Sequence, residues 1–89
     1  GVARIELEAS EPTWISVTEE GGHTLMSKLL EPNNVRTLNL AKNAVLRAGN
    51  AGGLTIRLNG KSIGPIGPHG GVRDVEFKDG AYRIVVPVK

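Results

Sequence analysis

The chain has 89 residues, eleven Lys and Arg against nine Asp and Glu, a formal net charge of +2 and no cysteine. That length holds one domain, residues 1–89, burying about 60–65% of its unfolded surface; the missing thiols exclude a disulfide framework and a thiolate metal site, and charges interspersed along the chain offer nucleic-acid phosphates no concentrated basic face. Trp14, Phe77 and Tyr82 are the only aromatics, so the core is aliphatic, and no apolar run approaches the roughly 18–20 residues of a membrane-spanning helix.

Ala3, Ile5, Leu7 and Ala9 alternate with Arg4, Glu6 and Glu8, the period of a half-buried strand. The opening GVARIELE is neither a secretory signal nor a basic transit sequence, and a strand pattern starting without Met is expected of a fragment of a longer protein. Ser10-Glu11-Pro12 ends the strand, since Pro12 cannot donate to a ladder. Thr13 to Thr18 sets Ile15 and Val17 on one face and Trp14, Ser16 and Thr18 on the other. After a turn at Glu20-Gly21-Gly22-His23, Thr24 to Leu30 returns as the second arm of a hairpin. Val35 to Leu40 points Leu38 and Leu40 inward, with Arg36 of the same parity at the rim where its charged end reaches water. Ala41 to Ala44 reads as a helical turn or a loop, and Val45 to Ala48 as strand.

The stretch from Gly49 to Pro68 organises the rest. Leu54, Ile56 and Leu58 alternate with Thr55, Arg57 and Asn59, and Asn59-Gly60 then supplies the two positive-φ positions of a tight hairpin turn. The return strand is Lys61 to Ile63. Gly64-Pro65, Gly67-Pro68 and Gly70-Gly71 deny the next segment any helix. Val72 to Phe77 sets Val75 and Phe77 opposite Asp74 and Glu76, and Asp79-Gly80 makes another tight turn. Ala81 to Val86 is apolar on both parities, which predicts a central or doubly covered strand ended by Pro87. Eight or nine short strands with a turn every eight to twelve residues predict an all-β fold, a small antiparallel β-sandwich-like domain. A compact β-roll or β-helical arrangement is the alternative.

Gly60-Lys61-Ser62 mimics the end of a phosphate-binding loop. That motif has Gly where Thr55 stands and needs a following helix, which Pro65 forbids, so the segment reads as a hairpin turn with an outward Lys61. His23 and His69 sit in separate Gly-rich turns without ligand spacing and read as solvated, which implies no metal and no cofactor. Ser10, Ser16, Ser27 and Ser62 lack a nucleophile motif, and the acids lie on solvated strand faces, so the chain reads as a non-enzyme. The candidate partner contacts are Trp14, Pro65, Ile66, Pro68 and His69. The alternating Gly and Pro of residues 64–71 stiffen a loop whose backbone can closely approach a partner, although a plain crossover at the domain edge needs no partner. Trp14 either stands half-exposed, where it can stack on a sugar ring or anchor a protein contact, or caps the core, the more economical assignment.

Taken together, EPTWISVTEEGGHTLMSKLLEPNNVRTLNL, GNAGGLTIRLNGKSIGPIGP and VRDVEF resemble the C-terminal domain of RodZ-like bacterial proteins, over about Ile5 to Val85. The most specific parts are Glu11-Pro12-Thr13-Trp14, Gly49-Asn50-Ala51-Gly52-Gly53, and Leu58-Asn59-Gly60-Lys61 leading to Gly64-Pro65-Ile66-Gly67-Pro68. The resemblance implies a parent with a cytoplasmic helix-turn-helix domain, one transmembrane helix absent from this fragment, and this domain on the periplasmic side of the inner membrane. Its implied partners are membrane-bound wall-synthesis or cell-shape proteins, or peptidoglycan, and it carries over no catalytic residue. Ala41-Lys42-Asn43-Ala44 departs from the Gly- or acid-containing turn of the family, which leaves open whether the Leu40 and Val45 strands pair.

Overall fold

The computed structural model describes residues 3–87, which form strands β1 (Ala3–Ala9), β2 (Thr13–Glu19), β3 (Thr24–Leu30), β4 (Val35–Leu40), β5 (Ala44–Ala48), β6 (Leu54–Leu58), β7 (Lys61–Ser62), β8 (Arg73–Lys78) and β9 (Ala81–Val85). One 3₁₀ turn at Ala51–Gly53 precedes β6. All pairings are antiparallel, in a four-stranded sheet of order β4-β1-β6-β7 and a five-stranded sheet of order β3-β2-β5-β8-β9. The sheets face each other as a sandwich, which settles the fold in favour of the sandwich over the roll or β-helix.

Period-two alternation generates the core directly. In the first sheet Ile5 lies between Leu38 and Leu58, and Leu7 between Arg36 and Ile56. In the second sheet one row runs Met26, Val17, Leu46, Val75, Ile84 across all five strands. Its three central members are fully buried, and exposure returns only at the edges. Side chains of both sheets join one cluster that includes Ile5, Leu7, Ile15, Leu46, Ile56 and Phe77. Each such side chain contributes about 1.5–3 kcal/mol by leaving water. The outer faces carry ion pairs instead: Arg57 bridges Glu6 at 3.1 Å and Glu8 at 3.4 Å, and Arg47 forks onto Asp74 at 2.8 and 3.0 Å.

The tight turns fall where the dipeptides require them. Asn59 and Gly60 have φ of 52° and 87°, and Asp79 and Gly80 have 54° and 80°, the paired positive values of a two-residue hairpin turn. Asn59 also accepts the Arg4 N–H at 2.8 Å through Oδ1. Residues 41–43 carry the chain from one sheet to the other, so β4 and β5 do not pair at all. The helical alternative for this segment is not realised.

Two expectations are corrected. Ala81–Val85 is neither central nor doubly covered: β9 is the edge of the five-stranded sheet, and Tyr82 and Ile84 remain 44% and 36% exposed. The second sheet has one strand more than the first, and on the core-facing side of β9 only the Tyr82 hydroxyl reaches across, donating to the Ile63 carbonyl at 3.4 Å, so the strand is covered incompletely. Lys61 is exposed as expected, but it pairs with Leu58 and therefore stands on the core-facing side of β7, at the rim, instead of on the outer face.

Candidate interaction surface

Three loops, residues 10–12, 49–53 and 64–71, meet at one end of the sandwich, and Asn50 joins them. Its amide nitrogen donates to Glu11 Oε1 at 3.1 Å and to the Pro12 carbonyl at 3.2 Å, and its Oδ1 accepts the Gly70 N–H at 2.7 Å. Its backbone N–H donates to Thr13 Oγ1 at 3.0 Å. Thr13 is the buried polar residue of the core, and this bond satisfies its hydroxyl. The Gly-Pro loop is anchored again where Gly52 donates to the Pro68 carbonyl at 2.9 Å and Ala51 to the Gly71 carbonyl at 2.8 Å. A Cβ on Gly52 would collide with the His69 backbone nitrogen, so only glycine permits this backbone approach.

His69 Nδ1 lies 2.8 Å from Glu11 Oε1, a bond the imidazole donates while Glu11 is ionised. That bond first, and the Asn50 amide second, hold the Glu11 carboxyl below its ordinary value. Pro65, Pro68 and His69 are exposed on the loop, which borders an open groove of about 420 Å³ lined in part by Leu54, Thr55, Ser62 and Pro65. Ile66 is corrected: it is only 4% exposed and belongs to the core cluster. The loop therefore inserts Ile66 as a plug between its two outward prolines, with almost none of its side chain left on the surface.

Trp14 does not cap the core. It is 60% exposed on the outer face of the five-stranded sheet, because Thr13 and Ile15 take the buried parity of β2. Leu29, directly opposite on β3, is 38% exposed, and the pair forms an apolar patch. On the other flank Gly49 donates its N–H to the Trp14 carbonyl at 2.8 Å and adds no side chain, which leaves the indole accessible. The next row along the sheet is polar, with Ser16 between Ser27 and Arg47. Asp74 holds Arg47 firmly charged, chiefly through their hydrogen bonds.

Trp14 and the Gly-Pro loop are thus fixed to the same end of the molecule through the turn at Glu11, Pro12 and Thr13. Sequence reasoning missed Asn50, Glu11, Thr13 and Leu29. An Asn flanked by glycines is a signal for a loop-bridging amide, whereas Leu29 could be placed only once the β2–β3 register was known. His23 is exposed in the β2–β3 turn, remote in the chain from this cluster. Among the described residues no group of three or more His, Asp or Glu is placed to hold a metal ion.

The family model for the RodZ C-terminal domain matches residues 6–76, from β1 into β8, and so takes in Trp14, the Asn50 hub and the Gly-Pro loop. No curated protein and no solved structure matches the chain. With about four-fifths of its length under that single match, including every loop of the convergent end, the chain belongs to the RodZ C-terminal domain family.

Proposed function

We propose that this chain is a non-enzymatic protein-interaction domain of a RodZ-like membrane protein, acting on the periplasmic side of the inner membrane in bacterial cell shape and wall elongation. The observation that carries the reading is the solvent-facing pair Trp14 and Leu29 on a rigid sheet, beside loops cross-linked through Asn50. Large apolar side chains preset in position lose little conformational freedom on binding, and Trp is the residue type most enriched among interface anchors. Membership of the RodZ C-terminal domain family supports the RodZ-like part of this reading. No helix of the described residues is long and apolar enough to cross a membrane, so in this reading the anchor belongs to another part of the parent protein.

The test is capture from a native bacterial envelope extract with a photo-crosslinking amino acid in place of Trp14. The expected products are adducts with membrane-bound wall-synthesis or cell-shape proteins, lost when Leu29 is changed to Asp. Adducts no different from those of a probe at Thr37, on the outer face of the other sheet, would refute the reading.

A second reading, a peptidoglycan or glycan module, is favoured by one specific feature. An exposed indole next to Ser16, Ser27 and the Arg47–Asp74 pair offers a stacking plane beside polar groups that can bind sugar hydroxyls. Cosedimentation with purified wall and quenching of Trp14 fluorescence by wall fragments test it; emission unchanged at saturating fragment rejects it.

A further inference from the structure

The four edge strands of the sandwich are not protected alike. In β3, Lys28 pairs with Ile15 and so stands on the core-facing side; in β4, Arg36 pairs with Leu7; in β7, Lys61 pairs with Leu58. Each of these edges carries a basic residue aimed over the rim of the core, the arrangement that discourages a further strand from docking. The β3 edge also has a register shift opposite Val17 and Thr18, and β7 is only two residues long. In β9 the core-facing positions are Tyr82, opposite Phe77, and Ile84, opposite Val75, and both are exposed. Val86 follows them at 63% exposure, and the one charge of the strand, Arg83, lies on the outer face bound to Glu76 at 2.8 Å. Among the described residues no strand pairs with this edge and no charge guards its core-facing side; the Tyr82 hydroxyl donates to the Ile63 carbonyl at 3.4 Å and leaves the ring partly exposed.

The backbone of β9 is equally available. Lys78 and Ala81 flank the two-residue turn and form a hydrogen-bonded pair, so Ala81, Arg83 and Val85 direct their N–H and C=O groups toward β8. By alternation Tyr82, Ile84 and Val86 direct theirs away from the sheet. We propose that this edge pairs with the β9 of a second copy of the chain, antiparallel about a two-fold axis at Ile84.

The sequence of the strand selects both occupant and register. About Ile84, Tyr82 stands opposite the second copy's Val86 and Arg83 opposite its Val85, so apolar residues meet on the core-facing side, no like charges face each other, and all three outward-directed residues exchange hydrogen bonds. About Arg83, two guanidinium groups would stand opposite each other and Val86 would drop out of the ladder. The pairing joins two five-stranded sheets edge to edge and merges two exposed Tyr82-Ile84-Val86 strips. It buries far less than the roughly 1,200 Å² of a standard stable interface, so the dimer is weak, with a dissociation constant of about 10⁻⁵ to 10⁻³ M. The strand lies beyond the segment matched by the family model, and this surface is separate from the Trp14 patch.

Sedimentation equilibrium of the 89-residue chain from micromolar to millimolar concentration tests the proposal. The expected result is a monomer–dimer equilibrium that Ile84→Lys weakens at least about tenfold, because it installs on β9 the guard the other edges carry, and that Trp14→Ala leaves unchanged. The chain has no cysteine, so single cysteines report the register: Ile84→Cys oxidises to a disulfide-linked dimer, and Arg83→Cys, two residues out of register with its own copy, does so at least about tenfold more slowly. A monomer mass at every concentration overturns the proposal and leaves the edge for a strand of a different protein. Equal cross-linking of the two cysteine variants overturns it as well.

Discussion

Gly70 donates its backbone N–H to Asn50 Oδ1 at 2.7 Å, while the nitrogen of the same amide reaches Glu11 at 3.1 Å, so one side chain ties the Gly-Pro loop to the turn that precedes Trp14. Asn50→Ala removes these bonds and leaves their partners to water or unpaired. The expected loss is about 2–3 kcal/mol of stability, read as a lower urea midpoint at unchanged slope. A loss below about 0.5 kcal/mol would show that the hub does not fix the loop.

Ile66 and its neighbouring prolines should respond in opposite ways. Ile66→Ala opens a cavity in the core and should cost about 3 kcal/mol. Pro65→Ala and Pro68→Ala leave the core intact and should cost less than about 1 kcal/mol, the stiffening of the unfolded chain by proline being the main term lost. Chemical denaturation of the three variants side by side checks the ranking.

The Glu11 carboxyl, held low by His69 and Asn50, makes stability depend on acid in one direction. Its folded value lies below the ordinary 4.5, so its contribution is fully present above that value and disappears as the pH falls through the lower, folded one. Glu11→Gln should therefore melt below the native chain at neutral pH, with the two melting temperatures converging under strongly acidic conditions. A difference that persists or widens as the pH falls would contradict the assignment.

Trp14 should matter for contact and little for folding. Trp14→Ala loses its cross-strand contact with Leu29, worth about 0.5–1 kcal/mol, yet should abolish the envelope adducts formed by a photo-crosslinking amino acid placed at the neighbouring exposed Ser27. In the unliganded protein the indole should emit at the red, solvent-exposed end of its range and be quenched freely by acrylamide. A blue-shifted, protected emission would show that the side chain is covered.

Gly52 tests the close approach of the two loops. Gly52→Ala drives a methyl group into the His69 backbone and should destabilise the domain more than Gly60→Ala, where the added carbon meets open space and only the positive φ is strained. Comparing the thermal midpoints of both variants is sufficient.

Strand identity was legible wherever alternation is strict. Ala3–Ala9, Thr13–Glu19 and Leu54–Leu58 sort their residues by parity into buried and exposed sets, and Asn59-Gly60 and Asp79-Gly80 fix two hairpins because few other dipeptides accept two consecutive positive φ values. The candidate contacts were less legible. Pro65, Pro68 and His69 are exposed as a Gly-Pro loop suggests, but nothing local shows that Ile66 turns inward, since its burial depends on a core built by residues distant in the chain.

By itself the amino-acid order determined an all-β chain, the position of nearly every strand, the tight turns and a resemblance to one family, because period-two alternation and turn chemistry act over a few neighbouring residues. Tertiary structure alone decided how the strands divide into four and five, that β9 lies incompletely covered at an edge, that Trp14 faces solvent, and that Asn50 gathers three loops. Those outcomes depend on which layer extends over which face and on hydrogen bonds spanning tens of residues, quantities that no local pattern encodes.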